Sequence, residues 1–200
     1  NSARAKSEKL AFIYTLRLYI IKLMIERLKI VYKENIRYLN ALIAHSLESV
    51  VQEQYYFEGQ LDTESMGALK LKLSDGQEFT FDCNGDAESL HIHKSGFKDR
   101  GTLETDFEDN RYRWKEREFL SAKNLNRLGK ITNAYLEILT HKSGEIRCGC
   151  KIEFMSGDYL YVWTMPSDNI FYGLNAIPPY YAYDDLKIEL KEIKTLYNNT

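Results

Sequence analysis

A strand–turn–strand pattern occurs twice in this sequence, at a constant separation of 81 residues. In the first copy, Leu71 and Leu73 lead into a turn at Gly76, which is followed by Phe79 and Phe81. Apolar residues that alternate with polar ones on both sides of a glycine turn are typical of a β-hairpin. The corresponding residues of the second copy are Ile152, Phe154, Gly157, Leu160 and Val162. Five positions in one register predict two similar β-hairpin units.

The first 58 residues lack glycine and proline, the residues that most often end a helix. Their apolar residues have helical spacing and leave a narrow charged stripe, which predicts an amphipathic helical segment over residues 1–58. A single helix over residues 7–54 would be roughly 70 Å long, whereas the rest of the chain should be roughly 40 Å across. We therefore expect either a break near residues 33–35 that makes a helical hairpin, or a projecting helix that pairs with a second copy or another protein.

From about residue 60 the apolar period changes from 3.6 to 2, so residues 59–200 are predicted to form a mainly antiparallel, β-rich domain. A further hairpin is expected where residues 131–139 and 145–154 flank Ser143 and Gly144. The predicted fold class is therefore α+β, with a helical segment followed by an antiparallel sheet domain.

Two stretches of this domain allow more than one assignment. Residues 102–107 and 112–119 either pair as strands, or residues 114–120 form a helix instead. Near the C-terminus, residues 184–197 carry apolar residues at both strand and helix spacing. A closing strand that becomes helical satisfies both patterns.

The composition limits the classes of partner. The chain has 200 residues, of which 44% are hydrophobic and 28% charged, and a formal net charge of −2. These values are typical of a folded globular protein and argue against nucleic acid as a partner. Charged residues interrupt the most apolar region, residues 10–32, so we expect no membrane span. Three cysteines and the lack of a signal-peptide pattern predict a cytoplasmic location.

Two pairs of residues are candidate metal ligands. His91 and His93 alternate on a predicted strand, and Cys148 and Cys150 alternate on another, so together they would make a Cys2His2 set. Neither pair has the tight CxxC spacing of a zinc knuckle, and small cysteines are often buried for their size alone. We therefore predict no metal site and no cofactor. The sequence also contains no common catalytic motif, so no catalytic residue is predicted.

Charge and aromatic residues point to protein contacts. Residues 1–40 carry nine Lys and Arg against three Asp and Glu, which leaves a net charge of −8 for residues 41–200. This difference in charge allows two arrangements: the basic N-terminal helix docks on the acidic sheet domain, or the sheet domain binds a basic partner. Tyrosines and acids cluster after Pro178 and Pro179, in a composition found at protein contacts. The predicted partner-binding residues are Glu104, Asp106, Glu108, Asp109, Tyr180, Tyr181, Tyr183, Asp184 and Asp185.

Several segments together resemble small α+β immunity-type proteins of bacterial toxin systems, over roughly residues 60–190. The resemblance is carried by residues 71–81, 85–90, Trp114, 128–131, 152–162 and 167–168. It implies a cytoplasmic protein that binds a cognate toxin domain and blocks it, often by covering a basic active site with acidic groups. It implies no catalytic residue. The predicted function is a non-enzymatic protein-binding module, with a self-associating structural or regulatory module, oligomerised through residues 7–54, as the alternative.

Overall fold

The computed structural model describes residues 30–83, 89–94, 96–97, 112–141, 144–165, 169–182 and 187–194. The chain divides into two compact parts, Asn1–Glu34 and Asn35–Thr200. The second part contains two five-stranded antiparallel sheets. No helix among the described residues is long and apolar enough to cross a membrane.

Helix α1 is described over residues 30–42. It passes through residues 33–35 without interruption, so the break predicted there is wrong, while residues 7–29 of the predicted long helix lie outside the described residues. The helix ends at Ala44, which has a left-handed φ of 74°. Its N–H donates to the carbonyl of Ile131 at 2.8 Å. Glycine usually occupies such a position, and its absence here removes the sequence signal for the end of the helix.

Strand β1, Leu47–Phe57, occupies residues that we predicted to be helical. The prediction of a helical segment as far as residue 58 is therefore wrong beyond the end of α1. β1 pairs on one side with β2, Gln60–Leu73, and on the other with β5, Tyr112–Glu118. The hydrogen bonds of these two ladders stabilise a strand more than the local sequence pattern stabilises a helix, because isolated short helices are marginal in water. Gly59, at which the predicted second domain began, has a φ of 78° and forms the turn between β1 and β2.

Both sheets have the same connectivity. Four consecutive strands form a meander, and a fifth strand returns to pair with the first, in the orders β4-β3-β2-β1-β5 and β10-β6-β7-β8-β9. The first sheet is completed by β3, Glu78–Cys83, and β4, Leu90–His93. The remaining elements are α2, Ala122–Leu128; β6, Ile131–His141; β7, Gly144–Phe154; β8, Tyr159–Met165; β9, Asn169–Leu174; the 3₁₀ helix η1, Pro179–Ala182; and β10, Lys187–Glu192.

For the described residues, the structure decides the assignments that the sequence left open. Strands β6 and β7 confirm the hairpin expected over residues 131–154. Tyr112–Glu118 is the strand β5, and the alternative helix over residues 114–120 is wrong. Its expected partner, residues 102–107, lies outside the described residues. Strand β10 is followed by helical residues 193–194, as the mixed spacing near the C-terminus predicts.

The turns that join β2 to β3 and β7 to β8 have the same backbone hydrogen bonds. In the first turn, the N–H of Leu73 donates to the Gln77 carbonyl at 2.8 Å. In the second, the N–H of Phe154 donates to the Asp158 carbonyl at 2.9 Å. Both turns need a glycine, because Gly76 and Gly157 have φ angles of 85° and 87°. The alternating apolar residues on either side of each turn are buried, so the turns position the core strands.

The two sheets are joined just before their first strands and pack together through other strands. Ser46 and Lys130 form an isolated antiparallel bridge just before β1 and β6. Strand β2 lies against β9, and β4 lies against β7. The buried Asn35 connects the part of α1 from residue 35 onward to strand β4. Its amide group donates to the Leu90 carbonyl at 2.6 Å and accepts from the Ile92 N–H at 2.9 Å.

Strand β7 requires a glycine at position 149, which lies between Glu137 of β6 and Trp163 of β8. A Cβ atom at this position would overlap the carbonyl oxygen of Val162 and lie 2.9 Å from the Cα of Trp163. Because both are backbone atoms, a side-chain rotation cannot relieve the clash. We expect Gly149→Ala to lower the free energy of unfolding in urea by about 2–3 kcal/mol.

The matched control is Gly96→Ala. A Cβ atom on Gly96 would meet no heavy atom within 4 Å, and its φ is not left-handed. We expect this change to alter the free energy of unfolding by less than about 0.5 kcal/mol. Equal effects of the two substitutions would contradict the steric explanation.

Candidate functional site

One acidic side chain of strand β6 is completely buried. Glu137 lies in the apolar run between Leu136 and Ile138 and has a relative exposure of 0%. Along β6, Ala134 and Leu136 face the core with Ile152 and Cys150 of β7, so alternation places Glu137 on the opposite face of the second sheet. Burying a carboxylate requires hydrogen-bond donors, since the water that it loses must be replaced.

Three tyrosine hydroxyls supply those donors. Tyr161 of β8 and Tyr180 of η1 donate hydrogen bonds to Oε2 and Oε1 of Glu137, respectively. Tyr181 of η1 donates to Oε2 at 2.9 Å, and its hydroxyl lies 2.7 Å from that of Tyr161. We call these four residues the Glu137 cluster. It joins strand β6 to strand β8 and to the segment that follows β9.

The chain between β9 and η1 brings the two η1 tyrosines over the sheet. Asn175, with a left-handed φ of 57°, turns the chain at the end of β9. Its N–H donates to the Tyr159 carbonyl at 2.8 Å, and its side-chain oxygen accepts from the Tyr159 N–H at 3.0 Å. Pro178 is buried, and its carbonyl accepts from the N–H of Tyr181 at 3.2 Å. The segment is therefore held at both ends, by backbone bonds at β9 and by tyrosine hydroxyls at Glu137.

The protonation of the Glu137 cluster follows from its burial. Burial raises the pKa of Glu137 above its ordinary value of 4.5, and the three tyrosine hydrogen bonds partly oppose this shift. Burial also raises the pKa of Tyr181 to about 12 and the pKa of Tyr161 well above 10, with the charge of Glu137 adding to both shifts. Tyr161 and Tyr181 therefore remain protonated donors at physiological pH. Among the described residues, no Lys, Arg or His forms an ion pair with Glu137.

Aromatic side chains surround the cluster on the same face. Trp163, opposite Gly149, stacks on Phe171 with a ring separation of 6.0 Å and meets Tyr161 edge to face at 6.2 Å. The rings of Tyr180 and Tyr181 stack at 5.9 Å. The buried indole nitrogen of Trp163 has no hydrogen-bond partner among the described residues. The cluster is thus a polar centre within an aromatic layer, and it reaches solvent at Tyr181, which is 39% exposed.

Of the predicted partner-binding residues, the structure places Tyr180 and Tyr181 together in the Glu137 cluster. Tyr180 is buried and serves as an internal anchor, while Tyr181 is partly exposed to solvent. The other predicted partner-binding residues lie outside the described residues: Glu104, Asp106, Glu108, Asp109, Tyr183, Asp184 and Asp185. Sequence reasoning missed Glu137, although a single acid within an apolar strand is a signal that could have identified it.

The four candidate metal ligands are not brought together where they are described. The rings of His91 and His93 are 5.2 Å apart on β4, whose buried residues are Leu90 and Ile92, so the histidines face away from the core. Cys150 is buried on the core face of β7, where burial raises the pKa of its thiol. The side chain of Cys148 lies outside the described part of the chain. The described residues contain no group of His, Cys, Asp and Glu side chains that could hold a metal ion.

Removal of the buried carboxylate tests the Glu137 cluster. We expect Glu137→Ala to lower the free energy of unfolding by about 3 kcal/mol, because it leaves buried hydroxyls without an acceptor. Glu137→Gln keeps one acceptor oxygen and should lose less than about 1 kcal/mol. Urea denaturation measures both. Glu189→Ala, an exposed glutamate on the neighbouring strand β10, is the control and should change stability by less than about 0.5 kcal/mol.

The raised pKa of Glu137 also predicts a pH dependence. Because the folded chain holds this proton more tightly than the unfolded chain, the residue stabilises the fold most at pH values below 4.5. That contribution is lost as the pH rises through the folded pKa. We expect the stability of the native chain to fall relative to Glu137→Gln when urea denaturation is repeated between pH 4 and pH 8. A constant difference between the two proteins over this range would contradict the prediction.

Comparison with known proteins adds no further constraint. No family model, no curated protein and no solved structure matches this chain. The function must therefore be argued from the Glu137 cluster and from the surface beside it.

Proposed function

We propose that this chain is a non-enzymatic protein-binding module, and that it binds its partner through the surface formed by Ile177, Pro179 and Tyr181. The observation that carries the proposal is the fixed position of Tyr181, whose ring is exposed while its hydroxyl is bonded to a buried carboxylate. Ile177, four residues earlier in the same segment, is 68% exposed. We call these three residues the Tyr181 surface.

The physical properties of the Tyr181 surface support this proposal. Exposed tyrosines are frequent hot spots of protein interfaces, since the ring buries a large apolar area and the hydroxyl takes a specific partner. A side chain that is already held in place loses little conformational entropy on binding. Pro178, Pro179 and the hydrogen bonds to Glu137 hold the Tyr181 surface in this way. An exposed isoleucine beside such a tyrosine adds apolar area that a partner can cover.

We also propose that the two sheets are copies of one structural unit. The shared connectivity and the identical hydrogen bonds of the two turns support this relation. A buried glutamate follows each bridge residue at the same interval, Glu53 after Ser46 and Glu137 after Lys130. Each glutamate lies next to a strand position occupied by glycine, since a Cβ atom on Gly67 would be 2.6 Å from the Cβ of Glu53, and Gly149 pairs with Glu137.

The donors to Glu137 favour the second sheet as the binding side. Glu53 accepts a hydrogen bond from the backbone N–H of Ala68 at 3.2 Å. Glu137 accepts bonds from three tyrosines, two of which come from the segment that carries the Tyr181 surface. The second sheet therefore uses Glu137 to hold this additional segment in place.

The resemblance to immunity-type proteins supports a toxin domain as the partner. The net charge of −8 over residues 41–200 suits the basic active site that such proteins cover. The alternative is self-association through residues 7–54. Strand β1 makes part of this segment unsuitable for helical association, because Leu47–Phe57 is already paired on both sides. Any helix-driven association would have to use residues that precede β1.

The test uses two substitutions at equally exposed apolar side chains. We expect Ile177→Asp to weaken capture of the partner from a lysate at least tenfold, because it places a charge in the apolar contact. Met155→Asp, at a residue that is 70% exposed in the turn between β7 and β8, should leave capture unchanged. Quantitative mass spectrometry of the captured proteins measures both effects.

The captured protein must also behave as a toxin to support the proposed partner. Its expression alone should arrest growth, and co-expression of this chain should restore growth. If only further copies of this chain are recovered, self-association replaces the proposal. Equal capture by the native chain and Ile177→Asp would exclude the Tyr181 surface as the contact.

A further inference from the structure

The exposed ring of Tyr181 has a specific electrostatic character. Its hydroxyl donates to the Glu137 carboxylate, and a phenol that donates to an anion carries more electron density in its ring. Electron-rich aromatic rings attract ammonium and guanidinium groups that lie over their faces. The hydrogen bond that fixes the Tyr181 ring therefore also makes its exposed face more attractive to a cation.

Neighbouring tyrosines of the same sheet already bind a cation in this way. The ammonium group of Lys151 lies 4.7 Å from the ring centre of Tyr159 and 5.6 Å from that of Tyr135. Glu153 accepts a hydrogen bond from the same ammonium group at 2.6 Å. A tyrosine ring beside a carboxylate is thus a cation site in this structure, with the chain's own lysine as the occupant.

Tyr181 likewise combines a tyrosine ring with a nearby carboxylate, Glu137. Among the described residues, no Lys or Arg lies over this ring, and none forms an ion pair with Glu137. Residues 41–200 have a net charge of −8, so the chain is complementary to a basic partner. Ile177, four residues before Tyr181, is 68% exposed and offers apolar surface in the same segment for the hydrocarbon part of a long basic side chain.

We propose that the exposed face of Tyr181 binds an arginine side chain of the partner protein. Arginine fits better than lysine, because its planar guanidinium group stacks on an aromatic ring and is less strongly hydrated than an ammonium group. This inference rests on the proposed function in that the arginine belongs to a protein. It adds the chemistry of recognition, which the Tyr181 surface alone does not specify.

A peptide titration tests the inference without the natural partner. The probe is a capped Gly-Arg-Gly-Arg-Gly peptide, and the comparison is the same peptide with citrulline, which keeps the shape of arginine but not its charge. The full chain carries ¹³C-labelled tyrosine rings, and the Tyr181 signal is assigned from Tyr181→Phe. We expect the arginine peptide to shift the Tyr181 signal and to bind about two- to fivefold more tightly than the citrulline peptide.

Three substitutions separate a ring effect from a general charge effect. Tyr181→Leu should remove the preference for arginine over citrulline. Tyr181→Phe keeps a ring but loses the bond to Glu137, so its preference should be reduced. The control is Tyr159→Leu, which removes a ring that Lys151 already covers and should keep the full preference. Circular dichroism establishes that each variant is folded.

The outcomes distinguish this inference from the proposed function. Equal affinities of the two peptides, or a preference that survives Tyr181→Leu, would overturn the arginine site even if Ile177→Asp abolishes capture of the partner. A preference that depends on Tyr181 supports the arginine site, even if the captured protein turns out not to be a toxin.

Discussion

A fully buried carboxylate without a basic partner among the described residues has to be stabilised by neutral donors, and Glu137 obtains them from three tyrosines. Two of these tyrosines belong to η1, a 3₁₀ helix too short to be stable by itself. Its position over the second sheet therefore depends on the bonds to Glu137. The Tyr181 surface and its orientation towards solvent follow from the same bonds. One acid thus links the packing of the second sheet to the surface that we propose for binding.

The first sheet has a buried acid at the equivalent place. Glu53 is also buried and also lies next to a glycine, Gly67, and it accepts a hydrogen bond from the backbone N–H of Ala68. Trp114 of β5 covers Gly67 in the same sheet. In the second sheet the corresponding acid, Glu137, accepts hydrogen bonds from the two tyrosines of η1, which comes after the meander. This acid therefore holds a segment that is not part of the meander itself.

The alternation of apolar residues was sufficient to predict the β2–β3 and β7–β8 strands, because a half-buried strand must place every second residue in the core. It was not sufficient for β1. Residues 47–57 have no glycine or proline before them, and the helix before them ends at Ala44, whose N–H bonds to Ile131 far along the chain. The pairing of β1 with β2 and β5 then decides its conformation. The sequence identified Tyr180 and Tyr181 as candidate contact residues, but it did not identify Glu137 as the acceptor that they share.

The sequence by itself determined the local features: the glycine turns at Gly76 and Gly157, the apolar faces of the core strands, and the cluster of tyrosines after Pro178 and Pro179. These depend on short-range sterics and on the period of the chain, which neighbouring residues define. Only the tertiary structure decided where α1 ends, that residues 47–57 are a strand, and that Glu137 meets three tyrosines. Each of these outcomes depends on groups that are distant in the sequence, so the local pattern contains no signal that specifies them.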